Sequence, residues 1–228
     1  MSHISVLLFE TVESLLADRT TGVYIDATFG RGGHTRLLLS KLDENARVYA
    51  FDKDPQALEV AAALAQEDPR FTIIHASFAD IKEKMQEIGV QSVDGIMADL
   101  GVSSPQLDQA ERGFSFMQDG PLDMRMDNSK GLTAAEWLLE IEEEQLANII
   151  YQYGEERYSR RIAKAIKQAG KLDTTAQLAE LVKTAHPKWE KHKHPATRTF
   201  QAIRIAINKE LDDIEVFLPQ AVDLLKPK

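Results

Sequence analysis

Three aspartates follow apolar runs in the first half of this chain. Asp26 follows Val23-Tyr24-Ile25, Asp52 closes Arg47–Phe51, and Asp99 comes at the end of Val93–Ala98. Gly30-Arg31-Gly32-Gly33 lies just after Asp26, followed by His34 and the leucine-rich Leu37-Leu38-Leu39. Strand, glycine turn and helix in that order often hold a nucleotide-like ligand at the carboxyl edge of a parallel sheet. On the glycines alone, a plain tight turn and a ligand loop both remain open. The dinucleotide fingerprint fails, because its third glycine would fall at Thr35. The phosphate-loop pattern fails too, since no Gly-Lys-Ser/Thr follows.

The acids discriminate further. Asp52 stands 22 residues after Gly30, where a carboxylate suits ribose hydroxyls. Asp26 and Asp99 beside it would repel a pyrophosphate. S-adenosylmethionine has no phosphate and carries a sulfonium and an ammonium, so an acidic pocket suits it. Two unit charges ~4 Å apart interact by about 4 kcal/mol at an effective dielectric of ~20, so the sign of the pocket matters. The plain alternative for each aspartate is a helix N-cap.

Asp99-Leu100-Gly101-Val102-Ser103-Ser104-Pro105-Gln106 is the second chemical stretch. Enzymes that methylate exocyclic amines commonly place an acid or amide followed by prolines after strand four. Such an amine is a weak nucleophile because its lone pair is delocalised into the ring. An acceptor for its N–H groups localises that pair, and Asp99 or a nearby carbonyl has the chemistry to do so. Neither metal nor covalent intermediate is required, and catalysis would rest on positioning and electrostatics. A Ser/Pro turn is the plain reading of this stretch.

The elements that position these residues follow from periodicity. Runs at 23–27, 47–52, 71–75 and 93–100 predict strands. Helices are predicted over 35–41, from Asp54-Pro55 through Gln66, and over 81–88, with Asp54 as N-cap and Pro55 at the first helical position. Alternation of this kind predicts a doubly wound α/β sheet, Rossmann-like. Residues 104–131 read as a long functional loop. Beyond it the chain reads as helical. Thr133 and Glu136 form a capping box, and helices are expected over 142–153, 155–169, 175–185 and 199–217. The expected organisation is an α/β domain of residues 1–110 and 205–228, with an inserted all-helical domain over 111–204. The Leu224–Lys228 terminus reads as a helix end entering a turn. Strand four would then be an uncovered apolar edge, so further strands are expected beyond this chain.

The 228 residues are 43% hydrophobic and 28% charged, enough to bury a sizeable core. The absence of cysteine excludes disulfides, thiolate metal sites and cysteine nucleophiles. No stretch approaches the ~18 apolar residues of a membrane span, so a soluble cytoplasmic protein is expected. The net charge of −9 hides an asymmetry. Residues 157–204 hold twelve Lys/Arg against Asp173, Glu180 and Glu190, a balance of +9 that leaves −18 elsewhere. Arg157, Arg160, Arg161, Lys164 and Lys167 would share one face of a helix over 155–169, with Ile162 and Ile166 opposite. A solvated charged face is the plain reading. Lys191, Lys193, Arg198 and Trp189 in "HPKWEKHKHPATR" favour contact with phosphates and bases. His186, His192 and His194 share that segment with only Glu190 as an acid, so no metal is expected.

"DATFGRGGHT", "FDKDPQAL", "DLGVSSPQLDQAERGFSFMQDGPLDMRMD", "YGEERYSRRIAKAI" and "HPATRTFQAIRIAINKEL" together resemble the bacterial 16S ribosomal RNA cytosine-N4 methyltransferases of the H type. The resemblance covers nearly the whole chain. It implies an S-adenosylmethionine-dependent fold with an inserted helical domain. It also implies methylation of N4 of a decoding-site cytidine in 16S rRNA, with the assembled small ribosomal subunit as partner. By resemblance, cofactor contacts fall on Gly32, Gly33, His34, Asp52, Phe78, Asp99 and Gln106, with Phe78 against the adenine. Asp26 joins this set from the acidic-pocket reading. Gly113–Asp127 would close over cofactor and base. Family members continue past the Leu-Lys-Pro turn into a further strand that this chain lacks. Two other functions compete. An NAD-dependent oxidoreductase conflicts with the glycine spacing and Asp26, and a non-catalytic RNA-binding protein leaves the acidic pocket unexplained. Oligomeric state is open, with a homodimer as one candidate.

Overall fold

A computed structural model describes residues 5–187 and 194–227. The chain divides into two compact units, Met1–Gly101 with Leu211–Lys228, and Val102–Glu210. The boundaries therefore fall after Gly101 and Glu210, where residues 110 and 204 were expected. Ser103 opens a capping box with Gln106, so the chain turns helical before residue 111.

In the first unit, helix α1 (Leu8–Leu16) precedes strand β1 (Val23–Asp26). Helix α2 (Gly33–Lys41), strand β2 (Arg47–Asp52), helix α3 (Pro55–Glu67), strand β3 (Phe71–His75), helix α4 (Ile81–Glu87) and strand β4 (Gly95–Met97) follow. The sheet is parallel in the order β3-β2-β1-β4. Both faces are covered, and alternate strand residues divide between them. Tyr24, Val48 and Ala50 join Val12 and Leu16 of α1, Leu38 of α2 and Ala61 of α3 in one core. Ile25 and Phe51 join Ile81 and Met85 of α4 in the other.

The first three strands agree with the sequence to within a residue, and Asp54 caps α3 by accepting the Gln56 N–H at 3.0 Å. Strand four was expected over 93–100 but ends at Met97. Its far edge is partly used by the chain itself, since Val93 bridges Leu225 in parallel. Helix α1 was not expected.

The second unit holds α5 (Ser104–Asp108), α6 (Ala134–Glu140), α7 (Glu143–Gly154), α8 (Ser159–Ala169), α9 (Thr175–Ala185) and α10 (Ala196–Asn208). Leu146, Ile150, Ile162, Ile166, Leu178, Val182 and Ile203 form its core. Gly154 lets α7 approach α10, because a Cβ there would stand 2.5 Å from the Arg198 carbonyl oxygen. The capping box of Thr133 and Glu136 is present at α6. The 104–131 stretch is not a bare loop. It contains α5 and a 3-10 turn at Ala110–Arg112, and it is anchored to α9. Leu122 N–H donates to Asp173 O, and Thr175 N–H donates to Gly120 O. Arg112 also donates to the carbonyls of Arg125 and Met126. The expected cover over Gly113–Asp127 is thus pinned at several points.

Two helices are shorter than their sequence pattern. The one expected over 155–169 begins at Ser159, because Glu155 takes a left-handed φ of 53° at the end of α7. The one expected over 199–217 is split by Lys209, also at φ 53°. Asn208 fixes this break by accepting Met126 N–H and donating to Met124 O. Helix α11 (Glu210–Leu224) then returns the chain to the first unit, where Phe217, Ala221 and Leu224 complete the second core. Among the described residues, no helix is long and apolar enough to cross a membrane.

Candidate active site and nucleic-acid interface

The glycine turn is built on hydrogen bonds to Asp26 and Asp52. Asp26 is 2% exposed. Its Oδ2 accepts the Thr35 hydroxyl at 2.6 Å, and its Oδ1 accepts the Thr28 N–H at 3.1 Å. Burial pushes this carboxyl above the usual aspartate range, opposed by those two bonds. Asp26 thus lies beneath the turn and holds its two ends, rather than standing free in a pocket as an acidic cluster would require. Thr28 and Thr35 were not singled out from sequence. The signal for Thr28 is a threonine two residues after an aspartate, an Asx-type turn, while Thr35 lies nine residues from Asp26 and carries no such local signal.

Asp52 is half-buried at the end of β2. Its Oδ2 accepts Gly30 N–H at 2.7 Å and its Oδ1 accepts Asp54 N–H at 2.9 Å. Burial raises its carboxyl too, against these same backbone bonds. Gly32, at φ 74°, occupies the N-cap of α2 without any side-chain cap. A Cβ there would meet the Phe29 ring at 2.6 Å. Among the described residues, the first-turn N–H groups of α2, which include those of Gly33 and His34, have no side-chain acceptor.

Asp99 lies two residues past β4 with its side chain 60% exposed. Its backbone N–H donates to Thr28 Oγ1 at 2.6 Å. One carboxylate oxygen stands 3.9 Å from His34 Nδ1. His34 is buried, and its Nε2 has no hydrogen-bond partner. Phe78 sits in the 3-10 turn after β3, its ring edge-on to Phe217 at 5.1 Å. Asp213 of α11 steadies this turn by accepting from Ser77 Oγ at 2.8 Å and Lys53 Nζ at 3.1 Å.

The first unit therefore carries Asp26, Gly32, Gly33, His34, Asp52, Phe78 and Asp99 at or just beyond the carboxyl ends of its strands. Gln106 belongs to the second unit, where its Oε1 accepts Ser103 N–H at 2.9 Å. Acceptor carboxylates, uncapped helix N–H groups and a buried unpartnered imidazole nitrogen fit a ligand with ribose hydroxyls, a carboxylate and cationic centres. S-adenosylmethionine has all three.

The structure sorts the basic residues of the second unit. Lys171 pairs with Asp173 at 2.8 Å, Lys183 with Glu180 at 3.1 Å and Arg204 with Glu210 at 2.8 Å. Lys167 donates to the carbonyls of Leu138 and Leu139 at the end of α6, so it leaves the expected stripe. Arg160, Arg161 and Lys164 line the exposed side of α8, opposite buried Ile162 and Ile166, and pair with no acid among the described residues. Arg157 lies before the helix, not on it, with its guanidinium 4.9 Å from the Tyr158 ring centroid. Arg198 is half-buried on α10. Lys191, Lys193, Trp189 and His192 lie outside the described residues. His186 was expected on an exposed segment. Its side chain is only 10% exposed, with Nε2 3.4 Å from Glu156 Oε2 and its ring edge-on to Tyr158. Glu156 is itself 1% exposed. His194 packs on Phe116 at 4.6 Å, and burial lowers its pKa.

A parallel, doubly covered sheet with carboxylates and a glycine turn at its carboxyl edge defines a Rossmann-like, cofactor-dependent class of enzyme. The chain belongs to the MraW methylase family, whose sequence model matches residues 1–228. A protein named ribosomal RNA small subunit methyltransferase H from Acinetobacter baumannii is 98% identical over 228 residues, covering 100% of this chain and 74% of that relative. Its namesake from Acinetobacter baylyi is 82% identical, covering 100% of this chain and 75% of the relative. That of a Psychrobacter species is 55% identical over 235 residues, covering 100% and 69%. Among solved structures, a putative rRNA methylase from Clostridium thermocellum aligns at 25% identity with a TM-score of 0.35, over 45% of this chain and 57% of that one.

Proposed function

We propose that this chain transfers a methyl group from S-adenosylmethionine to the N4 amino group of a decoding-site cytidine in 16S rRNA. The carrying observation is the family match over all 228 residues, with relatives named as small-subunit rRNA methyltransferases. The geometry supports the reading and suggests how the work is divided.

The uncapped N-terminus of α2, with Gly32, Gly33 and His34, suits the carboxylate of the cofactor. Asp52 suits its ribose hydroxyls, Phe78 its adenine, and Gln106 completes the set by resemblance. When bound, the cofactor supplies an activated methyl group on sulfur. The Asp99 carboxylate is exposed, as a substrate-facing group must be. It accepts the N–H of the target amine and localises the nitrogen lone pair. The methyl group that the cofactor would supply replaces one proton of the amine, and that proton would pass to solvent beside the exposed Asp99 carboxylate. Asp26 acts from below, holding the turn that carries these groups. The target base must leave any stack to react, which suits unpaired RNA.

Arg157, Arg160, Arg161 and Lys164 are the phosphate-binding face of this reading, with Lys191, Lys193 and Arg198 added from sequence. The substrate is the assembled small subunit, which places the enzyme in the cytoplasm. Calorimetric titration with S-adenosylmethionine and, in parallel, with NAD is the direct test on a sample shown folded by circular dichroism. Binding of the former alone supports the reading and leads to methyl transfer on unmethylated small subunits. Binding of NAD alone by a folded sample overturns it.

A further inference from the structure

Asp99 stands beyond the end of β4, so no sheet ladder holds it. Its carboxylate is exposed, and Gly101 follows at φ 136°. Among the described residues, two contacts define its place. Its N–H donates to Thr28 Oγ1 at 2.6 Å, and its carboxylate lies 3.9 Å from His34 Nδ1. The second is too long for a hydrogen bond, so the first is the stronger restraint.

Thr28 is itself fixed. Its N–H donates to Asp26 Oδ1 at 3.1 Å, and Asp26 Oδ2 accepts from Thr35 on α2 at 2.6 Å. The neighbouring Ala27 N–H donates to Met97 O at 2.8 Å. One chain of hydrogen bonds thus runs from α2 through Asp26 and Thr28 to the backbone of Asp99. Two of its three bonds are short. Threonine is suited to the middle place. Its N–H and its hydroxyl oxygen sit on one residue, and its branched Cβ restricts the χ1 that aims the oxygen.

We propose that Thr28 is a positioning residue for Asp99, setting the rate of methyl transfer rather than the affinity for cofactor. This rests on the reading of Asp99 as the acceptor of the target amine. A catalytic acceptor must be held close to its productive geometry, and a shift of about 1 Å can cost ~100-fold. Thr28→Val keeps the shape of the side chain and removes the acceptor. Thr28→Ser returns the acceptor.

The test compares these variants with wild type and Asp99→Ala by methyl transfer, S-adenosylmethionine titration and amide hydrogen exchange. In Thr28→Val, kcat falls about tenfold, as losing one orienting hydrogen bond would produce, while KM for the cofactor moves less than about threefold. Exchange at the Asp99 amide accelerates without cofactor present. Thr28→Ser restores both kcat and amide protection. Should Thr28→Val not fold, Thr28→Ala carries the same comparison. The proposal is overturned if the variant lacking the acceptor turns over like wild type, if only KM changes, or if serine restores nothing. Wild-type turnover in Asp99→Ala would instead remove the reading of Asp99, and the role of Thr28 with it.

Discussion

Asp52 accepts the backbone N–H of Gly30 at 2.7 Å, tying the end of β2 to the glycine turn after β1. Burial raises the Asp52 carboxyl above the ordinary value of about 3.9, so its charged form is harder to keep than a free aspartate's. A raised folded-state pKa means the folded protein holds the proton more tightly. The stabilising contribution is therefore full below the unfolded pKa and lost as pH rises through the folded one. Cofactor binding has the opposite sign, because ribose hydroxyls and cationic centres favour the carboxylate. Affinity for S-adenosylmethionine is expected to fall as pH drops through the raised Asp52 pKa. Asp52→Asn should bind more weakly at neutral pH and show a flatter pH dependence. Calorimetry across a pH series checks this, and an equally steep dependence in the variant would remove Asp52 from the linkage.

Asp26 gives a paired prediction. Asp26→Ala strands the Thr35 hydroxyl and the Thr28 N–H, and is expected to destabilise the fold by about 1–3 kcal/mol. Asp26→Asn keeps an acceptor for Thr28 and removes a buried charge. Since the Asp26 pKa is raised, wild type loses stability as pH rises through it, and the asparagine variant does not. The stability difference between the two should therefore shift in favour of Asp26→Asn with rising pH. Thermal unfolding at several pH values reads this directly.

These acids show what sequence made legible. Asp54 and the Thr133–Glu136 box were readable because a cap is a local bond, formed by residues two or three apart. The ends of α7 and α10 were not. Glu155 and Lys209 are non-glycine residues in left-handed conformations, and no local signal marks them. Tertiary contacts accompany both: Glu156 lies 3.4 Å from His186, and Asn208 hydrogen-bonds to Met124 and Met126. Strand four was overextended because Ala98 and Leu100 prolong the apolar pattern on either side of Asp99. The Asp99 N–H leaves the ladder for Thr28, a residue 71 positions away. Asp26 ends β1 beside the turn, where the sequence puts it, and the structure adds its role as a support of that turn. Its burial depends on two threonines whose partners sequence does not reveal. A buried, hydrogen-bonded Asp26 repels a pyrophosphate less than a free carboxylate would, and that role passes to exposed Asp99.

Gly154 predicts a packing defect in the helical unit. A methyl group there would lie 2.5 Å from the Arg198 carbonyl oxygen and 3.2 Å from the Ala202 Cβ. Backbone on α10 must move to admit it. Gly154→Ala is expected to cost about 1–3 kcal/mol through overpacking, despite the better helix propensity of alanine. Denaturant unfolding provides the check, and an unchanged or raised midpoint would show that α7 and α10 separate without strain.

The charge pattern of α8 makes the sharpest prediction for RNA. Counting cations cannot distinguish Lys171 from Lys164, but their partners can. Lys171 is already paired with Asp173, whereas Arg160, Arg161 and Lys164 pair with no acid among the described residues. A phosphate reaching the second group displaces only water and counterions, while one reaching Lys171 must compete with a carboxylate. Reversal of all three α8 charges to glutamate should weaken RNA binding steeply at low salt. It should also reduce the salt dependence of log K by roughly one unit for each phosphate that is no longer neutralised. Lys171→Ala should change affinity by less than about twofold, because an exposed pair of this kind contributes ~0–1 kcal/mol and its cation is engaged. Neither change touches the glycine turn, so S-adenosylmethionine titration should match wild type in both. Filter binding of small-subunit RNA over a salt series measures slope and affinity together. Equal losses from Lys171→Ala and from the α8 reversal would mean that net charge, not the unpaired face, governs RNA binding.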